Sequence, residues 1–249
     1  METPLIVAYA TVFLCYFLAL ILCFLNMKTA ENCVASIALA ANGAVIIFIV
    51  KLSGHFPVFK LFESFMLLTF ILGTLGLLFS KPEGSLPNIR MWVWIEVLFI
   101  LSVTLLYSNK PSPLKYNSSY IFMVLFQGLR IISCAVMLFS STHFIQFRIQ
   151  EKIQSPSAKY HMKQGRKFLL LSTIIFLCSE YFGSIWSLNG WGDFWRWNEG
   201  FYQSTLIVIY LMLVFHMPGK GRQSEKTKAL LGGICGFFAL ALITTRCLL

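Results

Sequence analysis

Residues 4–26 read PLIVAYATVFLCYFLALILCFLN and contain no Asp, Glu, Lys or Arg. At ~1.5 Å rise per residue, a helix of that length covers the ~30 Å hydrocarbon core of a bilayer. Further apolar runs follow at about 33–53, 60–80, 91–107, 119–145, 168–187, 201–217 and 229–248. With 249 residues, 57 % of them hydrophobic, 12 % charged and a mean hydropathy of +0.74, the chain lies far outside the composition of a soluble globular domain. The sequence predicts an all-α, polytopic integral membrane protein of about eight transmembrane helices, folded as a single domain over 1–249. Met1-Glu2-Thr3 ahead of the first run supplies no basic region, and no small-residue cleavage pattern follows, so that run is expected to be a retained helix.

Charge is distributed as orientation signals are. Of the net +10, the Lys and Arg residues gather at Arg148, Lys152, Lys159, Lys163, Arg166 and Lys167, and again at Lys220, Arg222, Lys226 and Lys228, in segments beside predicted spans. Placing these in the cytoplasm puts thirteen Lys/Arg inside, with Lys28, Lys81 and Arg90 among them, and six outside. Both termini and the loops at 54–59, 108–118 and 186–200 then fall on the extracytoplasmic side of a plasma (inner) membrane, or of a thylakoid membrane. The basic segment at about 146–167 is expected to be a cytoplasmic loop with some helical extension of the span before it. This distribution argues against a nucleic-acid partner. Seven cysteines without a Cys-x-x-Cys spacing, mostly inside spans, argue against a disulfide scaffold or a zinc site.

Four of the six tryptophans fall within twelve residues, in Gly183-Ser-Ile-Trp186-Ser-Leu-Asn-Gly-Trp191-Gly192-Asp-Phe-Trp195-Arg-Trp197-Asn198. One or two indoles at a span end would be an interfacial belt. A cluster this dense, with glycines threaded through it, suits a broad planar ligand such as a porphyrin.

Polar groups within spans need a partner or a purpose. Arg130 lies near the middle of the fifth run and Glu180 at similar depth in the sixth, which runs the opposite way, so the two are expected to pair; Gln127 lies one turn from Arg130. That pair either joins two helices or receives an anionic arm of a ligand. Glu96 in the fourth run has no assigned role, and Glu63 opens the third. His143 and His161 are expected to be solvated. His55 is expected on the same side as the tryptophans. His216 ends the seventh run, ~22 Å along the helix from the tryptophan loop, so the two regions could serve one ligand only as separate stations.

These residues carry a resemblance. The 183–198 stretch resembles the tryptophan-rich "WWD" haem-handling segment of the CcsA/ResC family of cytochrome c biogenesis proteins. Gly54-His55-Phe-Pro-Val-Phe-Lys-Leu-Phe-Glu63-Ser64 is similar to the segment before the third span of that family. The resemblance implies that haem b is the bound or transported ligand. It is held outside by Trp186, Trp191, Gly192, Trp195, Trp197 and Asn198, and met at the inner side by His216 as an iron ligand. It also implies a ResB/CcsB-like membrane partner and presentation of the haem to apocytochrome c, with the chain at most the haem-holding subunit of a cytochrome c synthase and no catalytic residue of its own.

The sequence departs from the family pattern at several points. Asn198 stands in place of the motif's acidic residue and Phe201 in place of a glutamate. The family's outer histidine in the fifth span falls near Phe126-Gln127, with Arg130 in place of a methionine, and the chain ends at Leu249 before a second outer histidine. His55 is the available substitute ligand, and Arg130 becomes a candidate partner for a haem propionate or a seal on a lost cavity. Two other readings stay open: a non-catalytic membrane subunit with an assembly or regulatory role, and a small-molecule transporter built around Arg130 and Glu180.

Overall fold

The structure is a computed structural model that describes residues 2–80, 88–107, 120–194, 199–217 and 222–245. Every regular element among the described residues is an α-helix: α1 Glu2–Phe24, α2 Lys28–Ser53, α3 Leu61–Phe79, α4 Ile89–Thr104, α5 Tyr120–Lys152, α6 Ala158–Trp191, α7 Glu199–His216 and α8 Arg222–Thr245. Six of them are long and apolar enough to cross a membrane. α4, with 16 residues, and the apolar part of α7, Phe201–His216, are shorter, at about 24 Å each. The protein is an all-α, multi-pass membrane protein.

The burial pattern is that of helices in lipid. In α1 the buried positions are Leu5, Tyr9, Val12, Tyr16, Ala19 and Cys23, and in α2 they are Glu31, Ala35, Ala38, Asn42, Val45 and Ile49. Both stripes alternate steps of four and three, one face of a helix. The opposite faces are apolar and open: Ile6 is 52 % exposed and Leu14 62 %, while Asn42 and Thr69 are fully buried and joined by a 3.1 Å hydrogen bond. Polar inside and apolar outside is stable only where the surroundings are hydrocarbon.

The chain divides into two compact units, Met1–Lys115 and Tyr116–Leu249. In the first, α1 packs on α2 and α4, and α3 packs on α2 and α4, which makes a four-helix bundle. A buried polar clasp ties one end of it. The Trp94 indole N–H donates to Glu31 Oε1 at 3.0 Å, and the Arg90 guanidinium lies 3.9 Å from the same carboxylate and donates to Asn32 and to the Ser80 carbonyl. Asn88 caps α4 by accepting from the Met91 N–H at 2.9 Å. Arg90, expected to be a loop charge that orients the chain, is 5 % exposed and spent inside the bundle.

In the second unit α5 is the central helix, packed on α6 and α8, with α7 against α8. The expected helical extension of the fifth span into 146–167 is present, but the loop is far shorter than expected. α5 continues to Lys152 and α6 begins at Ala158, so the connection is the five residues 153–157, turned through Gln154 at φ 55° and held by Ser155 N–H to Gln150 O at 2.9 Å. α5 is about 50 Å long and projects past any bilayer core.

α5 and α8 approach closely at a Gly232-x-x-x-Gly236 spacing, where Ser141 Oγ donates to Gly232 O and accepts from Gly236 N–H. A Cβ on Gly236 would sit 2.6 Å from Leu138 Cα, a backbone atom that cannot rotate away. Gly236→Ala is therefore expected to lower unfolding stability by about 1–3 kcal/mol, read as a lower thermal midpoint in detergent. Gly233→Ala, whose added carbon would meet only Ile145 Cγ1 at 3.5 Å, is expected to be neutral or slightly stabilising.

Candidate functional site

The expected pair forms. Arg130 Nη2 lies 2.8 Å from Glu180 Oε1, joining α5 to α6, and also donates to Ser204 Oγ on α7, so one guanidinium ties three helices. Ser204 of α7, rather than Gln127 one turn along α5, joins the pair among the described residues. Arg130 is 4 % exposed, with its cationic carbon 4.5 Å above the Phe126 ring centre and 5.9 Å from that of Phe176. Two aromatic faces and a carboxylate replace the hydration an arginine loses at this depth.

From this pair an aromatic ladder runs to the surface. Phe126, one helical turn before Arg130 on the same face of α5, lies in the gap left by Gly183 of α6, where a Cβ would come within 2.7 Å of the ring. Trp186 stacks on Phe126, with centroids 6.3 Å apart and planes 19° apart, and Trp191 meets Trp186 edge to face at 4.8 Å and 88°. Both indoles stand on the final turns of α6, which ends in a left-handed cap at Gly192, φ 82°, whose N–H bonds Leu188 O at 2.9 Å. The segment expected as a loop from 186 is thus helical to Trp191. The two indoles form a right-angled corner rather than a flat platform, since opposed ring quadrupoles favour the edge-to-face arrangement. Trp191 is 48 % exposed. Trp195, Trp197 and Asn198 lie outside the described residues.

His216, at the end of α7, is exposed and 12 residues beyond Ser204, about 18 Å along the helix from the Arg130 layer. Its Nδ1 lies 2.9 Å from the Met212 carbonyl of its own helix. A carbonyl only accepts, so the Nδ1–H donates, and in the neutral ring the lone pair is on Nε2. That is the tautomer a metal-binding imidazole carries. His55 belongs to the first unit, where it is 4 % exposed, 2.9 Å from Phe56 O through Nδ1 and edge-on to Phe59. Among the described residues no three His, Cys, Asp or Glu side chains converge as a metal site, and the six described cysteines are free thiols.

Two features escaped the sequence reading. His143 and His161 are not solvated: they are 2 % and 1 % exposed, their Nδ1 atoms lie 3.2 Å apart between α5 and α6, and Phe139 and Phe168 pack on His143. Glu96 of α4 is 3 % exposed, and neither of its carboxyl oxygens has a hydrogen-bond partner among the described residues. No protein-family model and no curated protein matches this sequence.

Proposed function

We propose that this protein holds haem b in the membrane for cytochrome c maturation, as a divergent relative of the CcsA/ResC proteins. The observation that carries the proposal is the aromatic corner of Trp186 and Trp191, braced from behind by Phe126 and the Arg130–Glu180 pair, with Trp191 48 % exposed at a helix end. A porphyrin set into the angle between the two indoles would bury apolar area against one ring and find a wall in the other. Arg130 acts as the brace of the corner rather than as a propionate ligand, since its guanidinium faces Glu180 and Ser204. His216 is the second station, an imidazole whose Nδ1 is held by the Met212 carbonyl and whose Nε2 is the atom offered to iron at the far end of α7. The chain holds the haem, and thioether formation takes place on an apocytochrome c delivered with a ResB/CcsB-like partner. The tryptophan corner is assigned to the extracytoplasmic side and His216 to the cytoplasmic side.

Absorption spectra of the protein purified in detergent from haem-sufficient cells test the reading. A Soret band is expected, weakened and shifted in His216→Ala because an imidazole ligand is lost. A second reading is favoured by one observation: Phe126 and Arg130 stand where the resemblance places an outer histidine and a methionine, and both are packed in place. In that reading the chain is a non-catalytic subunit that kept the fold, and no Soret band accompanies the purified protein.

A further inference from the structure

The end of the second unit that carries the α5–α6 turn holds a cavity of about 470 Å³. Lys159, Lys163, Arg166 and Leu170 line it from α6, at steps of four, three and four, which is one stripe of that helix. Lys167 adds a fourth cation, Phe147 and Met162 supply an apolar floor, and Glu225 of α8 is the single acid. Four cations against one carboxylate leave the lining at a formal 4 − 1 = +3.

The cations of the cavity are unspent, whereas the basic residues around it are not. Lys226 lies 3.5 Å from Glu151, Arg148 donates to Lys226 O, and Lys228 donates to the carbonyls of Phe215 in α7 and of Met217 just past its end. Among the described residues no ion pair or hydrogen bond engages the side chains of Lys159, Lys163, Arg166 or Lys167. Charges left together and unpaired mark a place for an anion.

The stripe is also polarised along its axis. It runs ~16 Å from Lys159 to Leu170, from cations near the turn to a leucine that is 54 % exposed on the apolar stretch of α6. Phe147 and Met162, at 4 % and 5 % exposed, stand behind it. A ligand with a phosphate at one end and a hydrocarbon chain at the other satisfies both halves. We propose that this cavity binds the headgroup of an anionic phospholipid, with Lys163 and Arg166 on the phosphate and an acyl chain descending past Leu170. Free phosphate shares the headgroup chemistry but leaves the apolar half unused. The proposal is independent of haem binding.

Native mass spectrometry of the full chain, titrated with phosphatidylglycerol or with phosphatidylcholine, tests it. Phosphatidylglycerol is expected to bind at least about tenfold more tightly, and Lys163→Gln with Arg166→Gln to remove about tenfold of that affinity. Lys152→Gln, an exposed charge outside the cavity, is expected to leave it unchanged, as is Lys163→Arg. Equal affinity for the two lipids, indifference to the double substitution, or displacement of phosphatidylglycerol by excess inorganic phosphate overturns the proposal.

Discussion

Arg130→Leu is expected to lower the stability of the protein by about 3–5 kcal/mol, the cost of leaving a buried carboxylate without its partner. Glu180 is 8 % exposed and receives Arg130 Nη2 at 2.8 Å. With the guanidinium gone, Glu180 must either keep an unsolvated charge or take up a proton, and the tie to Ser204 on α7 is lost as well. Arg130→Leu combined with Glu180→Leu is expected to recover most of the loss, because two apolar side chains of similar volume need no desolvation. Ser204→Ala alone removes one hydrogen bond and is expected to cost about 1 kcal/mol. A double-mutant cycle on thermal midpoints in detergent measures the coupling. A cycle in which the single and double substitutions simply add would show that the pair contributes no mutual stabilisation.

How far the sequence led depends on what each feature needs in order to be seen. The spans are written in composition, because ~20 apolar residues are required wherever the chain crosses hydrocarbon. The Arg130–Glu180 pair was legible for a related reason: two opposite charges at matched depth on consecutive antiparallel helices have few other partners. The close α5–α8 approach at Gly232 and Gly236 was not read from the sequence, because a pair of small residues four apart does not say which helix packs there. Other features depend on rotation and register. The helical hairpin across 146–167 reads as a loop by polarity, although α5 and α6 need no apolar residues where they extend past the bilayer. His143 and His161 face each other only because α5 and α6 pack in one register, which their sequence surroundings do not specify. Arg90 looked like an orienting charge because it begins a span, yet α2 presents Glu31 to it. For the tryptophans, composition gave the cluster but not the angle between rings, and the 88° corner follows from where Trp186 and Trp191 fall on α6.

The corner makes the largest functional prediction. Trp186 and Trp191 supply the two sides of the corner, and removing an indole loses both its apolar area and its ring contacts, a loss of order tenfold in affinity for each. Trp186→Ala with Trp191→Ala is therefore expected to weaken haem binding about a hundredfold, with helix content unchanged since both residues lie at the end of α6. Titration of haem into the purified full-length protein, followed at the Soret band, measures this directly. The wild-type chain is predicted to bind saturably and the doubly substituted chain about a hundredfold more weakly. Superimposable titrations of the two proteins, or a wild-type curve that never saturates, contradict haem holding at this corner.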